Sequence, residues 1–353
     1  MLEAAALLRS GKRVLITGIG ASMFASLPLE YALCARGIDA TLIEAAELLH
    51  YRHAPYRDAL WIIVSRSGES IEIKRLLETA TDGQTVIGVS NEPESLLARQ
   101  AHISLQIGSR RDEMVAIQTY TGTLLTLQIL LRLMDTSPDT LSSEIENLLP
   151  RFAAQIKRDL EYQHDWDAFL TPPFPMALLA RGPGMASALE GALLFNEIAK
   201  FPAFAVPVGS FRHGPIEVVD EKFRGVLFAS GERTRELNVA LGKELARFGA
   251  AVRMVGPRGD VPTSLVWHET LQVPEELSPL VDIVPLQVAA TRLAELRGIW
   301  PGSFRYTPQV AVDEARFDAP PGGSGQPADE GATLNATEPG SSQAVHGSAK
   351  SKE

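Results

Sequence analysis

Two distant stretches of this chain repeat one another, and a repeat on that scale dictates architecture. Leu15 to Leu33 reads LITGIGASMFASLPLEYAL and Leu178 to Ile198 reads LLARGPGMASALEGALLFNEI, which matches Gly18 with Gly182 and Gly20 with Gly184. Further along, IIVSRSGES from Ile62 finds its counterpart in VLFASGERT, Val226 to Thr234. Glycines and strand ends that recur at a nearly constant offset point to two copies of one domain. The length of 353 residues agrees, because single cores rarely grow much past ~250 residues.

Within each copy, strand-like and helix-like patterns alternate, the signature of α/β architecture with parallel strands. In the first copy, strands are expected at Arg13 to Thr17, Ala40 to Ile43, Leu60 to Ser65, Thr85 to Val89 and Ile103 to Ile107, with long helical segments at about 115–134 and 141–162. The expected fold is two tandem units, each a doubly wound, flavodoxin-like parallel sheet flanked by helices. The first unit spans 1–140, a linking helix and hinge 141–170, and the second unit 171–316, opening on TPPFP. From Asp318 the chain is rich in Gly, Pro, Ser and Ala, so a disordered tail is expected over 317–353.

The third strand is the most informative. Its apolar run LWIIV, from Leu60, stops on SRSGES, and the amphipathic stretch from Glu69 to Thr79 suits the helix that follows. Ser65, Ser67 and Ser70 therefore stand where a strand hands over to a helix N-terminus, whose unpaired N–H groups and positive dipole end favour an anion. Gly68 lets the backbone approach closely. The same residues also read as an ordinary capped helix with Ser67 as N-cap. The second copy keeps only Ser230 and Gly231 of this cluster, so one phosphate pocket per chain is expected.

Three further groups bear on chemistry. GIGAS, Gly18 to Ser22, lacks the third glycine of a dinucleotide fingerprint, having Met23 there, so it reads as a tight turn carrying Ser22 to the sheet's carboxyl edge, with no nucleotide cofactor expected. In ALEGALLFNEI, Glu190 and Glu197 fall on one helical stripe with Leu193 and Leu194, where partial burial raises a carboxylate towards the range useful for proton abstraction. In GSFRHGPIEVVD, His213 precedes Gly-Pro, with Pro215 placed to open a new helix.

Composition excludes several classes. A net charge of −10 with no basic cluster argues against nucleic-acid binding, and the seven scattered histidines imply no metal site. The first residues are too short and acidic for a signal peptide and no apolar run is long enough for a membrane span, so the cytoplasm is expected. The lone Cys34 lies in an apolar helical pattern and is expected to be buried.

SRSGES resembles the Ser-x-Ser-Gly-Glu-Thr signature of sugar isomerase (SIS) domains. ALEGALLFNEI and FRHGP resemble the A-L-E-G-A-L-x-x-x-E-I and H-G-P motifs of the isomerase half of glutamine:fructose-6-phosphate aminotransferases, over about Arg13 to Glu314. Similar tandem architecture occurs in fructosamine-phosphate deglycases and amino-sugar-phosphate deaminases. The resemblance implies that Ser22, Ser65, Ser67 and Ser70 bind a sugar phosphate, with Arg66 replacing a glutamine. It implies that Glu197 shuttles a proton between C1 and C2 and that His213, from the neighbouring subunit of a homodimer, opens the sugar ring. Departures accompany these matches: EMVAIQTY places Ala116 and Gln118 at substrate-facing positions and Tyr120 where the family has lysine, and Gln309 aligns with the family's imine-forming lysine. No glutaminase portion lies in these residues, so ammonia from glutamine is not expected. The implied activity is isomerisation or deamination of an amino-substituted hexose 6-phosphate, the alternatives being a fructosamine-6-phosphate deglycase or a non-catalytic sugar-phosphate-binding protein.

Overall fold

The computed structural model describes residues 1–80, 84–259, 264–306 and 313–314, so the expectation for the tail 317–353 lies outside the described residues. Five strands, β1 (Val14–Gly18), β2 (Ala40–Glu44), β3 (Leu60–Val64), β4 (Val86–Ser90) and β5 (Ile103–Gln106), form one parallel sheet in the order β2-β1-β3-β4-β5. A second parallel sheet holds β6 (Met176–Ala180), β7 (Ala203–Pro207), β8 (Arg224–Phe228), β9 (Ala251–Gly256) and β10 (Val266–Glu269) in the order β10-β9-β8-β6-β7. Read from β7, that is the same topology, which is what the repeated glycines require. Both are the flavodoxin-like order of doubly wound α/β folds.

The central strands are apolar throughout because helices cover both faces. β3 is buried along its whole length, and Trp61 satisfies its indole by donating to the Tyr56 carbonyl at 2.8 Å. Predicted strands begin or end one residue away from those observed, the ordinary fraying of such boundaries.

The two units share a core. Helix Ala21–Ala35 packs against both Gln118–Arg132 of its own unit and Met185–Glu197 of the second. Ala25, Tyr120 and Leu124 thereby join one cluster with Leu178, Phe195 and Leu286. This contact carries the Glu197 helix to the first sheet. On the other side, the expectation for Cys34 is corrected: it is exposed. Leu29, Ala32 and Leu33 supply the inward face of that helix, and position 34 turns away from it.

A buried acidic group sits where the units meet. Asp282 is wholly buried, and Thr270 Oγ1 donates to its Oδ1 at 2.7 Å. Burial outweighs the surrounding Ser230, Thr270 and Ser278 hydroxyls and pushes its carboxyl up to about 6. Because the folded value lies above the unfolded one, the native state keeps a proton that the unfolded chain loses, and stability falls as pH rises from about 4 through 6. Asp282→Asn removes that titration. Its melting temperature relative to the parent should climb between pH 4 and 7, by the equivalent of about 3 kcal/mol, in parallel thermal melts.

Candidate functional site

Strand order places the site. The chain leaves β1 for β2 on one side, while β3 lies on the other, so the crevice beyond β1 and β3 is the topological switch point where ligands of such sheets bind. Gly18 closes the two strand ends together: a Cβ there would lie 2.8 Å from the Val64 carbonyl. The turn that follows leads into helix Ala21–Ala35, putting Ser22 in its first turn, half-buried beside the β3 loop.

That loop is held from within and from behind. Ser65 is buried, and its Oγ accepts from the Gly68 N–H at 3.1 Å. The Arg66 carbonyl accepts from Asn91 N–H at 2.9 Å, and Glu69 Oε1 accepts from Leu96 N–H at 2.6 Å, tying the loop to the one after β4. Gly68 has φ +62, and a Cβ on it would meet Ser95 Oγ at 2.3 Å. The N-cap of helix Ile71–Thr79 is Ser70 and not Ser67, a correction to the bland capping alternative. No side-chain cap bond is found at Ser70, so its hydroxyl stands at the helix's positive end with no capping duty, while Ser67 Oγ accepts from Glu69 N–H at 3.2 Å. The result is a cluster of hydroxyls and first-turn N–H groups at one sheet edge, suited to an oxyanion.

Glu197 is the last residue of helix Met185–Glu197. Burial raises its carboxyl above the ordinary value, against the pull of the nearby Lys200 and Arg66 charges. Arg66 belongs to the serine loop and also donates to the Met114 carbonyl at 3.3 Å, so the loop, the 114–118 segment and Glu197 converge. Ala116 is half-buried against the shared core, and Gln118 is exposed as the first residue of helix Gln118–Arg132.

His213 is not brought into this group. It is exposed at the end of helix Val208–Arg212, next to the second sheet's edge strand β7, and its charge is not among those acting on Glu197. Pro215 does open a helical turn, a 3-10 one over Pro215–Val218. Gln309 lies outside the described residues.

Several residues escaped sequence reasoning. Glu190, noted only as part of a stripe, is wholly buried with both carboxylate oxygens lacking a hydrogen-bond partner among the described residues, as does the Tyr120 hydroxyl. Burial, then the charges of Glu197 and Asp112, hold Glu190 well above the usual carboxylate range. Asp112 is buried and accepts from the Ile117, Gln118 and Thr119 N–H groups, fixing the N-terminus of helix Gln118–Arg132. An aspartate ahead of a helical pattern is a readable capping signal, but its distance from the helix hid it. Lys200 follows Glu197 by three residues and carries φ 52, the only positive φ of a non-glycine residue among the described residues. A backbone held there costs about 1 kcal/mol.

The counterpart site in the second copy is closed by its own chain. A Cβ on Gly231 would lie 2.7 Å from Glu275 Oε1 and one on Gly182 3.8 Å from the same atom. A carboxylate in that place disfavours an anion there by charge and by volume. Among the described residues no group of three or more His, Cys, Asp or Glu could hold a metal ion, and no helix is long and apolar enough to cross a membrane.

Comparison with known proteins agrees with this fold. The model of the SIS domain matches residues 7–133 and 175–296, one match for each sheet unit. Among curated relatives, glutamine–fructose-6-phosphate aminotransferase [isomerizing] of Pyrococcus horikoshii is 29% identical over 311 residues, 84% of this chain and 51% of that protein. The chain thus spans about half the length of the curated relatives it matches. Among solved structures, the C-terminal domain of glucosamine-fructose-6-phosphate aminotransferase from Francisella tularensis superposes with a TM-score of 0.74 at 21% identity, covering 84% of this chain and 88% of that one. Glucosamine-6-phosphate deaminase from Thermotoga maritima superposes with a TM-score of 0.67 at 23% identity, covering 88% and 96%. At these identities the structures speak for the fold. With both sheet units matched, the chain belongs to the SIS domain family.

Proposed function

We propose that this protein is a phosphosugar isomerase-type enzyme acting on an amino-substituted hexose 6-phosphate. The observation that carries the reading is the convergence of the hydroxyl-rich β3 loop, through Arg66, on the half-buried Glu197, whose carboxyl desolvation raises above its ordinary value. The phosphate would rest on Ser22, Ser65, Ser67 and Ser70 with the helix N-terminus behind them, leaving C1 and C2 towards Glu197. As base, the carboxylate removes the proton from the carbon beside the carbonyl. An enediolate forms with its charge on the former carbonyl oxygen, that oxygen takes the proton of the adjacent hydroxyl, and the same carboxyl returns its proton to the neighbouring carbon as the carbonyl re-forms on the other oxygen's carbon. A raised pKa suits a group that must both take and give a proton near neutrality.

Ring opening needs a second proton-transfer group. In this reading it is His213 of a second copy of the chain, since the His213 of the same chain stands away from Glu197; a homodimer with shared sites follows. Ala116 and Gln118 would face the sugar and its amine substituent. The curated relatives named as glutamine–fructose-6-phosphate aminotransferases support a substrate of the amino-sugar class.

Calorimetry on the parent and on Ser67→Ala tests the phosphate cradle. The parent should bind hexose 6-phosphates, and the variant should lose about tenfold in affinity for them, as expected for one hydrogen bond to a charged group, with no loss for the unphosphorylated sugars. Equal losses for both kinds of sugar count against a phosphate at this loop.

A further inference from the structure

Lys200 occupies a left-handed turn that a glycine would take without strain, just past the carboxyl end of the Glu197 helix. Its side chain explains why a lysine is there. Nζ donates to two backbone carbonyls, those of Glu197 and Ser303, and lies 5.1 Å from the centroid of the Phe304 ring. One carbonyl belongs to the residue read here as the proton carrier. The other belongs to the segment Trp300–Tyr306, which follows helix Val284–Leu296 and whose backbone hydrogen bonding among the described residues is local, from Ser303 N–H to Trp300 O at 3.0 Å. Arg305 of that segment is near enough for its charge to act on Lys200. Beyond it, Glu314 pairs with His50 at 3.2 Å and with Arg75 of the helix that follows the serine loop. The chain after the last helix therefore makes contact first beside Glu197 and then on the first unit.

We propose that Lys200 is a positioning residue that latches segment Trp300–Tyr306 onto the carboxyl end of the Glu197 helix and so fixes the site's cationic wall around the proton-carrying carboxylate. The catalytic consequence rests on the function proposed above; the latch itself does not. Two charges act on Glu197 against its burial, Lys200 past its own helix and Arg66 from the β3 loop, while Glu190 two turns earlier is raised by the Glu197 charge and Arg305 acts on Lys200. The ammonium favours the ionised carboxylate against burial. Without it, burial is opposed by Arg66 alone, and Glu197 holds its proton to higher pH.

The test uses the full chain with Lys200→Gly, which relieves the backbone strain, and Lys200→Met, which keeps the side chain's bulk without its donors. Amide exchange over 299–306 should quicken by about tenfold or more in both variants, as for a segment released from its anchor. On a hexose 6-phosphate that the parent turns over, kcat should fall about tenfold while KM stays within about threefold, and the acid limb of kcat/KM should move upward by about half a pH unit or more. Exchange over 299–306 within twofold of the parent in both variants overturns the latch. Faster exchange with an unmoved pH profile and kcat overturns the positioning role, leaving Lys200 as a merely structural tether. A parent that turns over no hexose phosphate sinks the proposed function and leaves the latch to be decided by exchange alone.

Discussion

Glu197→Gln should give a protein that binds hexose 6-phosphate as the parent does and fails to convert it. The substitution keeps shape and volume while removing the only basic oxygen that the mechanism uses. Burial already raises this carboxyl, which suits the proton transfer proposed for it. General base catalysis contributes about 10²–10⁴-fold, and a loss of about 10³-fold in kcat is expected, with the calorimetric Kd for the sugar phosphate within about threefold of the parent. The parent's pH profile should carry the same signature, with an acid limb above the ordinary carboxylate range, because the proposed mechanism needs Glu197 ionised and the folded protein resists ionising it. A variant retaining a tenth of the parent's turnover excludes Glu197 as the proton carrier.

The second large effect is expected at a residue that touches no substrate. Gly68→Ala puts a methyl 2.3 Å from Ser95 Oγ and 2.6 Å from Ser95 Cβ, in a backbone conformation at φ +62 that L-residues rarely adopt. Ser95 cannot yield freely. It is buried, and its Oγ accepts from Ala98 N–H at 3.2 Å as the cap of helix Leu96–Gln100. The β3 loop must therefore move, carrying Ser65, Ser67 and Ser70 out of register with the helix N-terminus. Stability should drop by about 2 kcal/mol in denaturant melts. Affinity for phosphorylated sugars should fall by about 100-fold, because several charge-assisted hydrogen bonds are lost together. Unphosphorylated sugars provide the control. If they lose as much, the damage is general unfolding and not a displaced phosphate cradle.

How far the residues alone led can be judged at particular positions. The repeated glycines and the apolar strand runs yielded the two-sheet architecture, because a buried parallel strand leaves a plain mark: LWIIV at β3 is apolar on both faces and stops where the sheet stops. Ser67 reads as an N-cap in the sequence, whereas Ser70 holds the N-cap position in the structure without a side-chain cap bond; the two lie within one turn, closer than a local pattern resolves. Cys34 misled because an apolar pattern does not fix the rotation of a helix to within one residue. Glu190 was visible as one of two stripe carboxylates, but its complete burial is set by the other unit's helix Ala21–Ala35 and Tyr120, a tertiary fact. Lys200 was illegible for a stronger reason: neither a positive φ on a lysine nor a bond to a carbonyl a hundred residues away leaves a local trace. The blocking of the second copy by Glu275 is likewise a matter of how one loop folds across another.

Deuterium exchange most directly tests the claim that a phosphate-holding loop presents a sugar to Glu197. The protein is incubated in D2O with hexose 6-phosphates and their 2-amino counterparts, and the label at C1 and C2 is followed by NMR. The account predicts that the parent enriches the carbon next to the carbonyl of at least one phosphorylated sugar, that Glu197→Gln does not, and that unphosphorylated sugars stay unlabelled. A parent that binds hexose 6-phosphates tightly and exchanges no carbon-bound hydrogen in any of them, or a Glu197→Gln variant that exchanges at the parent's rate, contradicts it.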